Sequence, residues 1–228
     1  MTILVLGGRG RTAIRLASYL EEAKIPFLLA SRSASSSCPY QQSFFDWEDE
    51  ASHDNPFSQA LSKGLGKITV AYIVAPPVLD IIPRVIKFID FAQAKGVKRF
   101  VFVSASILEK GDEHMGQVHE YLASLDGIIE WAVLRPTWFM GMSLEYYFFF
   151  SGPVLLTKPC LENFSEDPRF IHSIRNTRTI YTCAGDGRMP FVSLDDVSRV
   201  AFRALTDQKP HNCDHILLGP ESLSHDQV

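Results

Sequence analysis

"MTILVLGGRGRTAIRLASYLEEA", residues 1–23, decides the fold. Thr2 to Leu6 is a short apolar, β-prone run that ends in glycines, and Ile14, Leu16, Ala17 and Leu20 then recur at near-helical spacing. The pattern predicts strand, glycine turn and helix. Gly7, Gly10 and Ala13 form a G-x-x-G-x-x-A spacing inside that unit. Gly7 permits the tight turn, Gly10 lets the backbone approach a pyrophosphate, and Ala13 keeps helix and strand close. The helix N-terminus then presents backbone N–H groups to an anion.

Working outward, apolar strands alternate with helical segments. "PFLLASR" (26–32), "QSFFDW" (42–47), "KITVAYIVAPP" (67–77), "KRFVFVSAS" (98–106), "IIEWAVLRP" (128–136) and "DHILLGP" (214–220) read as strands. "NPFSQALSKGL" (55–65), "LDIIPRVIKFIDFAQAKG" (79–96) and "MGQVHEYLASLDG" (115–127) read as helices, and "MPFVSLDDVSRVAFRAL" (189–205) as a short strand entering a helix. The strands are continuous apolar runs, which predicts a mostly parallel sheet covered on both faces. The expected fold is α/β, a Rossmann-like doubly wound sheet, in a single domain over residues 1–228. Ser224 and Gln227 have capping-box spacing, so a helix is expected to begin there.

The 228 residues are 46% apolar and 21% charged, with net charge −4 and a pI near 6.0. That balance points away from nucleic acid and anionic membrane surfaces. Cys38, Cys160, Cys183 and Cys213 form no C-x-x-C pair, so no metal site is expected and the thiols read as reduced cytoplasmic cysteines. "MTILVLGG" lacks a basic leader and reads as a buried strand rather than a signal peptide.

The end of the second strand selects the dinucleotide. An NAD site usually carries Asp or Glu there for the ribose 2′-hydroxyl. This chain has Ala30-Ser31-Arg32-Ser33. Arg32 can fork onto a 2′-phosphate, with Ser31 and Ser33 adding hydrogen bonds; a solvated loop arginine is the plainer alternative. Arg9 and Arg11 add positive field at the turn. NADPH is therefore the expected cofactor. Gly8, Thr12, Pro76, Ser104 and Pro136 complete the expected lining, at the turn and at carboxyl ends of strands.

The usual acid–base pair of short-chain dehydrogenases, Tyr-x-x-x-Lys, does not occur. Ser104 and Ser106 are present, but Gly111 and Met115 stand where Tyr and Lys would be, and Tyr121 is followed four places later by Leu125. No catalytic residue is assigned. "MTILVLGGRGRTA", "FVSAS", "MGQVHEYL", "LRPTWFM", "ENFSED" and "GDGRMPFVSLDDVSRVAFRAL" resemble the NmrA-like atypical short-chain dehydrogenases, and within them the fungal ergot-alkaloid festuclavine and agroclavine dehydrogenases. The resemblance implies NADPH-dependent reduction of a tetracyclic ergoline iminium formed from chanoclavine-I aldehyde, a small-molecule alkaloid. It also implies that C-terminal substrate-side helices are truncated here and that this form reduces its substrate poorly. Reducing an iminium cancels a positive charge and yields an amine directly, so the missing proton donor makes chemical sense. A catalytically silent NmrA-like protein that senses NADP(H) is the alternative; a C=C reductase fits less well because Met115 stands near the lysine such enzymes use.

Trp138 and Phe139, at the carboxyl end of a strand, could stack on an indole and a cation, or simply fill core. Glu162 joins them as a substrate-side candidate. His119 and Asp112 are weaker candidates that a solvated helix face would explain as well.

"WFMGMSLEYYFFFSGPVLLTKPCLENF" (138–164) is greasy beyond the needs of such a fold. Glu145 and Pro153 argue against a membrane span. In the sequences resembled, Glu follows "PTWFM" directly, so Gly141 to Leu161 reads as an insertion. Gly141-Met142-Ser143 can be written G|GT-ATG-TC, a 5′ splice signal. Leu156-Thr157 can supply the branch point CTA-AC, and Leu161-Glu162 the acceptor CTA-G|AR. The excised length is divisible by three, so the frame survives, and the G before the first cut joins the AR after the second as GAR, a single Glu. Residues 141–161 are thus expected to translate a retained intron. Sequencing of mature mRNA should return transcripts that join Met140 to Glu162; their complete absence would reject the reading.

Overall fold

The computed structural model describes residues 1–8, 10–33, 38–75, 80–139, 153–155, 176, 179–181, 186–224 and 227. The chain divides into two compact units, Met1–Arg135 with Asp195–Ile216, and Pro136–Leu194 with Leu217–Val228.

In chain order the elements are β1 (Thr2–Leu6), α1 (Arg11–Glu22), β2 (Phe27–Ser31), β3 (Gln42–Phe44), a 3-10 helix (Glu50–Asp54), α2 (Asn55–Ser62), β4 (Ile68–Val74), α3 (Ile81–Ala94), β5 (Arg99–Val103), α4 (Met115–Ser124), β6 (Glu130–Pro136), β7 (Pro153–Leu155), β8 (Thr179–Tyr181), α5 (Leu194–Thr206) and β9 (Cys213–Leu217). Seven strands form one sheet in the order β3-β2-β1-β4-β5-β6-β9. The five pairings from β3 through to β6 are parallel. The chain runs outward from β1 to β3, then returns to the other side of β1 with β4. The switch point therefore lies between β1 and β4, where open α/β sheets bind ligands.

Strand parity sorts the first unit's core onto two faces. Leu4, Leu6, Ala71, Ile73, Phe100, Phe102 and Val133 pack with α3 and α4 residues Val85, Phe88, Ile89, Val118 and Leu122. Tyr72 has the opposite parity and meets α1, where its hydroxyl donates to Thr12 Oγ1 at 3.1 Å. Ser198 of α5 donates to the Thr12 carbonyl at 3.1 Å, which brings α5 to the same side. The doubly wound expectation is met.

Local differences have physical reasons. The buried stripe of α1 is Thr12, Ala13, Leu16, Ala17 and Leu20. Ile14, counted into the apolar period, is 36% exposed. Residues 189–192 form isolated bridges, Met189 with Leu223 and Phe139 with Val192, rather than the expected short strand. Pro190 interrupts the run and removes a ladder donor. The 3-10 helix was not legible; Asp49 caps it by accepting from the Ala51 N–H at 3.1 Å, a local side-chain effect with no periodic signature. At Ser224, half of the expected capping box is formed: its N–H donates to Gln227 Oε1 at 3.0 Å.

In the second unit the Thr137 N–H donates to the Leu217 carbonyl at 3.0 Å, and the Val192 N–H to the Trp138 carbonyl at 2.9 Å. β7 and β8 make a separate two-stranded antiparallel pair, Pro153 opposite Tyr181 and Leu155 opposite Thr179. Apart from Pro153–Leu155, the segment 141–161 lies outside the described residues. Among the described residues no helix is long and apolar enough to cross a membrane.

Candidate dinucleotide site

The turn after β1 is shaped by atoms that leave no room for side chains. Gly7 has φ +73°, the left-handed region, and a Cβ there would stand 3.1 Å from Val74 Cβ at the end of β4. This is the switch-point crevice itself. A Cβ on Gly8 would lie 2.9 Å from Leu29 Cβ and 3.1 Å from the Ala30 nitrogen. The Gly8 N–H donates to the Ala30 carbonyl at 3.1 Å, and the Gly10 N–H to the Gly7 carbonyl at 2.6 Å. Gly10 is the N-cap of α1 and supplies no side-chain cap. The first turn of α1 contains no acidic residue. It thus adds no negative charge to compete with an anion at the positive end of the helix.

Around the turn, the expected residues are distributed unevenly. Thr12 is 7% exposed, and its hydroxyl and carbonyl are engaged by Tyr72 and Ser198. Its hydroxyl therefore ties α1 to β4 and its carbonyl ties α1 to α5, while its backbone N–H lies in the first turn of the helix. Arg11 is half-buried at the first position of the helix. Ser31 Oγ donates to the Ser33 carbonyl at 2.8 Å, which shapes the turn carrying Arg32. Arg32 and Ser33 are exposed. Ser104 is 6% exposed, and its Oγ has no partner among the described residues. A buried hydroxyl left in that condition is what a polar ligand group would satisfy. Pro136 ends β6 and is buried. Arg9 and Pro76 lie outside the described residues, as does Glu162. In the second unit, Trp138 and Phe139 are half-buried.

Two tyrosines of the first unit are engaged within the fold. Tyr121 donates to Asp90, and its pKa is pushed up to about 12 by that bond first and by burial second. Burial in the core pushes Tyr72 to about 12 as well. Gly111 has φ +89°, and Met115 is the first residue of α4.

A charged cluster at the end of β6 escaped the sequence reading. Arg135 is 3% exposed. Its Nη1 donates to Asp214 Oδ2 at 2.7 Å, and its Nη2 to the Ser106 carbonyl at 3.0 Å and to Glu109 Oε1 at 2.5 Å. These bonds raise the Arg135 pKa, Glu109 foremost, and the Arg135 bond lowers that of Asp214. The only sequence signal was a cation inside an apolar strand, which demands a buried partner.

His119 is not on a solvated face. It is 3% exposed, and its ring lies 5.8 Å from that of Trp131. Asp112 is exposed and accepts from the Glu109 N–H at 2.6 Å. His53, 4% exposed, stacks on Phe45 at 4.9 Å. Burial lowers the pKa of both histidines. The unfolded chain, with His near its ordinary value of about 6.5, then binds more protons than the folded one just below that pH. Stability should be full above about pH 6.5 and fall as the pH drops below it. Thermal melts across pH 7.5 to 5 should show this acid limb, and His53→Phe should flatten it; an unchanged limb in that variant would remove His53 from the cause.

A parallel doubly wound sheet with a glycine turn at its switch point defines the dinucleotide-binding class of α/β folds. No family model matches the chain. Across its whole length it is 50% identical to festuclavine synthase II of Penicillium roqueforti and 44% identical to an agroclavine dehydrogenase of Claviceps fusiformis, and it spans 71% of each. The chain belongs to the family of fungal festuclavine synthases and agroclavine dehydrogenases, oxidoreductases of the ergot-alkaloid pathway. Among solved structures, Citrobacter sp. triphenylmethane reductase complexed with NADP(H) shares the fold, with TM-score 0.67 at 16% identity over 99% of this chain and 73% of that one.

Proposed function

We propose that this chain is an NADPH-dependent reductase of the ergoline iminium formed from chanoclavine-I aldehyde, giving festuclavine or agroclavine. The observation that carries this reading is 50%, 46% and 44% identity over the full chain to enzymes named for those two products. These names also favour an enzyme over the silent NADP(H) sensor.

The residues present fit the dinucleotide. Gly7 and Gly8 leave a cradle that side chains would fill, and the Ser104 hydroxyl, without a partner among the described residues, lies at the carboxyl end of the sheet. Gly7, Gly8, Gly10 and the backbone of Arg11 and Thr12 would hold the pyrophosphate, with Arg9 adding charge. Arg32, Ser31 and Ser33 would hold the 2′-phosphate, and Pro76, Ser104 and Pro136 would line the nicotinamide end. When bound, NADPH supplies the hydride. The protein's part is orientation and exclusion of water, because an iminium carbon needs no proton on reduction. Trp138 and Phe139 would stack on the cationic indole-bearing substrate, with Glu162 as a nearby anion.

The test is incubation with NADPH and chanoclavine-I aldehyde under iminium-forming conditions, using the chain as it stands and a form lacking residues 141–161. Product mass and NADPH absorbance are followed. Festuclavine or agroclavine from either form supports the reading. Binding of NADPH with no reduction by either form, nor by the deletion form extended with a full-length relative's C-terminal segment, would favour the sensor.

A further inference from the structure

The strongest feature outside the dinucleotide cradle is the buried guanidinium at the end of β6. Arg135 joins three pieces of the first unit: its own strand, β9 through Asp214, and the segment after β5 through Ser106 and Glu109. Beyond these and the Ser104 N–H, which donates to the Leu134 carbonyl of β6, the other bonds of that segment, residues 104–114, among the described residues are short-range. The Leu108 N–H donates to the Ala105 carbonyl at 3.1 Å, and the Asp112 N–H to the Glu109 carbonyl at 3.2 Å. The Gly111 N–H donates to the Gly116 carbonyl at 2.9 Å. Arg135 is thus its deep anchor to the sheet.

Register brings this anchor to the site. Val103 pairs with Leu134, and the Ser104 N–H donates to the Leu134 carbonyl at 2.8 Å, so Ser104 and Arg135 are the next pair on neighbouring parallel strands. Both have the parity of Phe100, Phe102 and Val133, which face α3 and α4. The anchored segment begins at the buried hydroxyl that has no partner among the described residues.

We propose that Arg135 is a positioning residue for hydride transfer: by gripping the Ser106 carbonyl and Glu109, it fixes the segment after β5 and so the Ser104 hydroxyl at the nicotinamide end. This rests on the reductase reading above. Asp214 neutralises the guanidinium and orients its fork, while Ser106 and Glu109 receive the constraint. Planarity matters, because one rigid fork must reach a carboxylate on β9 and a carbonyl on the loop together.

The experiment compares Arg135→Lys, Asp214→Asn and the unsubstituted chain by amide hydrogen exchange with NADPH bound, NADPH titration, and single-turnover reduction. Arg135→Lys keeps the charge and loses the fork. Its amides at 108, 111 and 112 should exchange about 10-fold faster, while NADPH affinity stays within about threefold. Reduction should slow by about 100-fold, the scale of a 1 Å misplacement, with KM little changed. Asp214→Asn should lower the melting temperature yet leave those amides protected. If both variants lose protection evenly across the unit, Arg135 is merely structural and the proposal fails. Unchanged exchange in Arg135→Lys overturns it too. Should that variant not fold, Glu109→Gln tests the same grip from a side chain that is 70% exposed, with the same loop amides expected to lose protection. Failure of the unsubstituted chain to bind NADPH would overturn the cofactor reading itself, a result visible in the titration before any variant is compared.

Discussion

Arg32→Ala is expected to raise the NADPH dissociation constant by about 10- to 150-fold and to leave NADH binding nearly unchanged. The side chain stands exposed after β2, on a turn shaped by the Ser31 to Ser33 hydrogen bond. A charged hydrogen-bonded pair contributes about 1.5–3 kcal/mol, and each 1.4 kcal/mol is tenfold in affinity. The loss should shrink at high salt, because the pair forms at the surface. Fluorescence titration with both dinucleotides reads the effect. An equal loss for both would move Arg32 away from the 2′-phosphate.

Gly8→Val should weaken NADPH binding by about 100-fold and destabilise the chain by about 1–3 kcal/mol. The new Cβ would sit 2.9 Å from Leu29 Cβ and 3.1 Å from the Ala30 nitrogen. Neither neighbour can rotate away, since one is a Cβ and the other backbone. The turn must lift off β2, stretching the Gly8 bond to the Ala30 carbonyl. For a domain of this size the melting temperature should fall by about 2–12 °C. Thermal melts and NADPH titration check both parts. A variant that binds NADPH normally would show that the turn tolerates bulk and does not set the cofactor's approach.

Much of the first unit was legible because its signals are local. An apolar run ending in glycine, a 3.6-residue period behind it and a proline or glycine at each break are written in consecutive residues. β1, α1, β2, β4, α3, β5, α4 and β6 follow from them. The Gly7 turn and the exposed arginine after β2 were legible for the same reason: each depends on a few neighbours in the chain. His119 and Ile14 were misjudged because helical period alone does not say which neighbour covers a face. Trp131, twelve residues after His119 in the sequence, comes within reach only when β6 lies beside α4.

The sequence by itself thus determined the alternation of strand and helix, the glycine turn and the arginine on the turn after β2. Only the tertiary structure decided that Thr12 turns its hydroxyl to Tyr72 and its carbonyl to Ser198, and that Arg135 meets Ser106, Glu109 and Asp214. These partners lie 26 to 186 residues apart along the chain, and no periodicity encodes such pairs. A buried charge or hydroxyl requires a partner, which the sequence can demand. Which partner answers depends on strand order and register, and those are set when the sheet closes around its core.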